Sequence, residues 1–86
     1  MSERHEPPDD LVFDYAVLLG VLANGTRVLR GRDEFTIDFL RDIPESSRPV
    51  LVARATVPAL VAVELRDQLD EAWRGYSEWS MPKDTK

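Results

Sequence analysis

Carboxylates are the side chains whose number and spacing come closest to a chemical pattern. Asp33, Glu34, Asp38, Asp42 and Glu45 gather around one short stretch. Two carboxylates work as an acid–base pair when they face one cleft and their surroundings push their pKa values apart. The alternation Phe35, Ile37, Phe39 instead reads as a strand with Thr36 and Asp38 outward, a solvated face that Arg41 and Arg48 partly neutralise. A calcium loop needs Asp or Asn ligands alternating about a glycine turn, and Gly31-Arg32-Asp33-Glu34 lacks that density.

The other reactive types are scarcer. His5 is the one histidine and sits in a charged stretch with nothing to hold it as a base. The chain contains no cysteine, so neither a zinc site nor a Cys/His nucleophilic pair has its ligands. Ser46 and Ser47 have no histidine partner in reach. Gly20, Gly25 and Gly31 form no phosphate-cradling loop, and no Lys-Ser or Lys-Thr follows them. The expectation is a chain without catalytic, cofactor-binding or metal-ligating residues and without a cofactor: not an enzyme.

Two binding patterns remain. Arg27, Arg30 and Arg32 form a small basic patch that could meet an anion or nucleic acid, or balance the neighbouring acidic strand. The net charge of −5 opposes a phosphate-backbone binder. Trp73, Tyr76 and Trp79 could stack on bases, but at this spacing they read first as the apolar stripe of a helix or an interface edge.

The elements that must position these residues follow from the apolar pattern. With 86 residues the chain forms one small domain. Residues 1–10, with Pro7, Pro8 and many charges, read as a disordered lead-in without the apolar core of a signal peptide. Residues 81–86 read as a flexible tail, which leaves 11–80 as the folded unit. Leu11 to Ala23 is rich in Val, Leu, Phe and Tyr and reads as a strand apolar on both faces, with a buried helix as the rival reading. Asn24-Gly25 is then a two-residue hairpin turn and Thr26–Arg30 the returning strand. Glu34–Arg41 and Val50–Ala55 are the next strands, joined by the polar loop Pro44–Pro49. Pro58 suits the first position of a long helix. Val61, Ala62, Leu65, Leu69, Ala72, Trp73, Tyr76 and Trp79 form its stripe. The predicted class is α+β: an antiparallel sheet of three or four strands followed by one long amphipathic helix packed on it.

Three stretches carry a family resemblance. Ala23-Asn24-Gly25-Thr26-Arg27-Val28, Asp33-Glu34-Phe35-Thr36-Ile37-Asp38-Phe39 and Ala53-Arg54-Ala55-Thr56-Val57-Pro58, the last with its helix through Leu65, Leu69 and Tyr76, stand in this order. Together they resemble a bacterial and archaeal family catalogued only as a domain of unknown function, number 3467. The resemblance covers about residues 15–79. Val57 stands where that family's pattern has a capping serine. The resemblance implies a small α+β domain and no established activity or site residues. It also suits a strand running through Asn24 better than a tight turn, so both readings of Asn24-Gly25 stay open.

Function at this stage is an argument about surface. Ala59, Leu60 and Val63 fall behind the helix stripe, so the first two turns lack a polar back. Leu18 and Leu22 lie on the second face of the apolar run. Such a chain has more apolar surface than one helix can cover, and a domain of this size is marginally stable. With no disulfide or metal available, oligomerisation is the remaining aid. The expectation is a cytoplasmic interaction protein: a homo-oligomer with a dimer favoured, acting as an adaptor, accessory subunit or chaperone-like binder. An unidentified protein partner is the other option. Leu18, Leu22, Ala59, Leu60 and Val63 are its expected interface. No membrane is expected, since Tyr15–Ala23 is far shorter than the ~20 apolar residues a spanning helix needs.

Overall fold

A computed structural model describes residues 8–80; most of the expected lead-in, with His5, and the 81–86 tail lie outside the described residues. The order of elements is α1 (Tyr15–Leu19), β1 (Gly25–Arg30), β2 (Glu34–Arg41), β3 (Val50–Pro58) and α2 (Ala59–Ser80). The strands form one antiparallel sheet in the order β1-β2-β3. The α+β class holds, with three strands and a long C-terminal helix.

The β1–β2 hairpin closes where Gly31 donates its backbone N–H to the Glu34 carbonyl at 2.8 Å. A side chain at Gly31 would bring its Cβ to 3.2 Å from the Glu34 Cγ and 3.3 Å from that carbonyl oxygen, so the turn has no room for one. This turn sets Arg30 opposite Phe35 and, counting back, Val28 opposite Ile37 and Arg27 opposite Asp38. Between β2 and β3 the register shifts once, at Phe39/Leu40: Leu40 faces Leu51, Phe39 faces Ala53, and Val52 is the extra residue.

β3 runs three residues past its predicted end. Pro58 closes the strand opposite Glu34 instead of opening the helix. Its missing N–H is harmless at the end of an edge strand. Ala59 then starts α2, its backbone N–H donated to the Asp33 carbonyl in the hairpin turn at 3.2 Å. The turn therefore meets one of the free donors at the helix start, where neither Val57 nor Pro58 has a side-chain oxygen to serve it. The 22 residues of α2 span ~33 Å and pack back over β2 and β3.

The predicted strand Leu11–Ala23 is not formed, and Asn24-Gly25 is not a turn. Gly25 opens β1 opposite Leu40, and Gly20, at φ 75°, is the only described residue in the left-handed region. A two-residue hairpin needs that region at its turn positions. Asn24 instead extends the ladder: its N–H reaches the Leu40 carbonyl at 2.9 Å. Its side-chain amide acts like a peptide group, accepting from the Asp42 N–H at 2.8 Å and donating to the Asp42 carbonyl at 3.2 Å. Within the apolar run only Tyr15–Leu19 are helical, so the rival helix reading holds for one short turn. Asp14 caps it by accepting from the Ala16 N–H at 2.9 Å, and Gly20 ends it. This short helix packs on neither the sheet nor α2. A strand forms only where another strand supplies its hydrogen bonds, and among the described residues none lies beside Leu11–Ala23.

Candidate interaction surface

The two faces of the sheet differ in kind. One carries a row of charge, Arg27, Asp38 and Arg54, set side by side across the three strands. Asp38 Oδ1 accepts from Arg54 Nε at 2.6 Å. Its Oδ2 accepts from Arg54 Nη2 at 2.9 Å and from Arg27 Nη2 at 3.1 Å. Asp38 has no exposed surface, although both guanidinium groups remain about half exposed. Both arginines bond to it directly. The bonds from Arg54 are the main cause holding its carboxyl at about 2, below the ordinary 3.8; burial opposes them and Arg27 assists. The same pair raises Arg54 above its ordinary value. Asp38, read from the sequence as a solvated outward residue, is thus the one fully buried polar side chain described.

The signal for this row lay in the register. The Gly31 turn pairs Arg27 with Asp38 by counting alone. Arg54 joins only because the bulge at Val52 moves the rest of β3 by one residue. Without it Ala53 would stand opposite Asp38, and Arg54 would point to the other face.

That other face carries Val28, Phe35 and Ile37, and α2 covers it incompletely. Ala62, Leu65, Leu69 and Trp73 of the helix and these three strand residues line an open groove of about 580 Å³, with Arg66 and Asp70 at its rim. Beyond it α2 continues as an aromatic ladder, Trp73 to Tyr76 at 5.3 Å and Tyr76 to Trp79 at 6.3 Å between ring centroids. Trp79 is 81% exposed. Among the described residues no apolar side chain is fully buried, and eighteen large ones are exposed. A domain without any buried apolar side chain lacks the interior that stabilises a fold of this size.

The residues expected at an interface lie in two places. Ala59, Leu60 and Val63 are exposed on the first turns of α2, at the hairpin end of the sheet. Leu60 is 83% exposed. Leu18 is half-buried in α1 and Leu22 exposed just after it. The Leu22 carbonyl accepts from Arg41 Nε at 3.0 Å, at the opposite end of β2. One copy of the chain does not join them into a single patch. The arginines separate too: Arg27 is engaged by Asp38, Arg30 belongs to the groove face in the row with Phe35, and Arg32 sits in the hairpin turn.

The carboxylates that opened the chemical reading are dispersed. Asp33 and Glu34 stand at one end of β2, Asp38 within it, and Asp42 and Glu45 past the other end. No group of three His, Cys, Asp or Glu among the described residues could hold a metal ion. Ser46 is occupied in its own loop, where its hydroxyl donates to the Arg48 carbonyl and accepts from the Arg48 N–H. No described helix is long and apolar enough to cross a membrane. The three stretches of the family resemblance fall on β1, on β2, and on β3 with the start of α2. Among family models, curated proteins and solved structures, none matches this chain.

Proposed function

We propose that this protein is a small interaction module that works as a homodimer, its fold completed by a second copy. It serves as an adaptor, accessory subunit or chaperone-like binder and carries out no reaction of its own. The observation that carries the reading is the missing core: no described apolar side chain is fully buried in a single copy. Folding of a domain this small rests on hydrophobic burial against a conformational entropy of similar size. Side chains the size of Leu60 or Val63 each contribute roughly 1.5–3 kcal/mol when buried. Leaving so many in water forfeits most of the driving force, and a second copy restores it. The absence of cysteine suits a cytoplasmic site of action.

Light scattering on the full chain across a concentration series tests this. The expected mass is twice 9.8 kDa. A folded species of single-chain mass at every concentration would overturn the dimer. Leu60→Asp places a charge on the helix start and is expected to dissociate or unfold the protein. If that variant stays folded with an unchanged mass, the start of α2 is not in the interface.

A further inference from the structure

We propose that the arm Leu11–Leu22 of one copy seats in the groove between α2 and the sheet of a second copy, and that the exchange is reciprocal. This rests on the dimer reading above and names the element that makes the dimer.

The arm is apolar, and among the described residues little covers it: Phe13 and Leu18 are half-buried and the rest of its apolar side chains are exposed. Leu11, Val12, Val17, Leu19, Val21 and Leu22 are each at least 59% exposed. Its helix α1 packs on neither the sheet nor α2, although the groove in the same chain stands open. Its departure is built in. Leu22 and Asn24 are fastened to Arg41 and Asp42 at the far end of β2, Gly20 turns the chain, and α1 carries its own cap in Asp14. An apolar segment with a defined exit and so little cover among the described residues is suited to another molecule.

Groove and arm match in chemistry. The groove is lined by aliphatic and aromatic side chains and is large enough to take several more. Asp14 is the one charged residue of the arm, Asp9 and Asp10 stand just before it, and no Lys or Arg lies between them and Arg27. The groove face offers Arg30 and, in its lining, Arg66 and Asp70; on the surface Arg66 pairs with its neighbour Asp67 and Asp70 with Arg74.

The area also suits a second copy. Seven large exposed apolar residues lie in the arm, and Val28, Leu69 and Trp73 are the large exposed ones that line the groove. Side chains of this size carry on the order of 100 Å² each, so arm and groove together approach the ~800 Å² per partner of a standard interface. A two-fold axis uses both components twice, arm in groove and groove around arm, and leaves no open end for a filament.

The chain lacks cysteine, so disulfide trapping reads proximity without background. Full-length chains carrying Val17→Cys or Leu19→Cys are co-expressed with chains carrying Val28→Cys or Leu69→Cys, and the products are oxidised and resolved by mass. A disulfide forms only where Cα atoms come within about 7 Å. The expected result is that mixed arm–groove dimers outnumber both same-variant dimers by several fold in at least one pairing. A dimer by light scattering with no excess of mixed disulfide in any pairing overturns the arm exchange and leaves the dimer standing. Val17→Cys and Leu69→Cys in one chain, closing as an oxidised monomer, would place the arm in its own groove and overturn it as well. A monomer throughout removes both readings.

Discussion

At the scale of single residues the firmest arrangement is the carboxylate of Asp38 between Arg27 and Arg54. Removing one partner of a buried charge set leaves the others unpaired, which costs more than the pairing itself contributes. Asp38→Asn keeps the shape and removes the charge, and its unfolding transition is expected several degrees below that of the parent at neutral pH. The sign of the pH dependence follows from the direction of the shift. The folded carboxyl titrates at about 2 and the unfolded one near 3.8, so the folded state favours the ionised form. Its contribution is complete above the unfolded value and fades as pH falls through the folded one. Denaturant titrations of parent and Asp38→Asn should therefore differ at pH 7 and converge toward pH 2. A gap that persists at pH 2 would assign the effect to shape instead of charge. Half of this row was legible beforehand, since a turn at Gly31 implies Arg27 beside Asp38. Arg54 was not, because a bulge after a long loop leaves no mark in the sequence.

At the scale of elements, legibility tracked whether an element's partner lies in the same chain. β2 announces itself by the alternation Phe35, Ile37, Phe39, and α2 by the stripe through Ala62, Leu65 and Leu69, because the sheet and helix pack on each other. Leu11–Ala23 is equally apolar and reads as a strand that the fold does not form, since composition says that a segment wants cover but not from where. Asn24-Gly25 misled for a related reason: the pair is a strong turn signal, yet here Asn24 imitates a peptide group against Asp42. The real bend is at Gly20, whose φ of 75° and ψ of −176° belong to a region open essentially to glycine. Gly20→Ala has free space around its new Cβ, so the whole cost is backbone, about 1–3 kcal/mol. It acts at the exit of the arm. The dissociation constant of the dimer is expected to rise about tenfold, as 1.4 kcal/mol implies, with the circular dichroism of the sheet unchanged. Sedimentation equilibrium on the two proteins reads this directly, and an unchanged constant would mean that the bend does not aim the arm.

For the molecule as a whole, folding and association are one reaction if the interior is made between copies. Stability then depends on how much protein is present, because mass action favours the assembled state. The melting temperature is expected to climb steadily over a hundredfold increase in concentration, and a value independent of concentration would indicate a chain that folds alone. The shortage of interior was foreseeable from length and the lack of cysteine. Which surfaces are left over was not, since this depends on where α2 crosses the sheet and how the arm leaves it.

The placement of the aromatic residues has a consequence for anyone watching this protein in a spectrometer. Both tryptophans and both tyrosines of the chain lie on α1 or α2, and the strands hold only Phe35 and Phe39. Ultraviolet absorption and intrinsic emission near 280–350 nm are dominated by Trp and Tyr, so the sheet is optically dark in this range. The light comes from the helices, with Trp73 at the mouth of the groove and Trp79 beyond it.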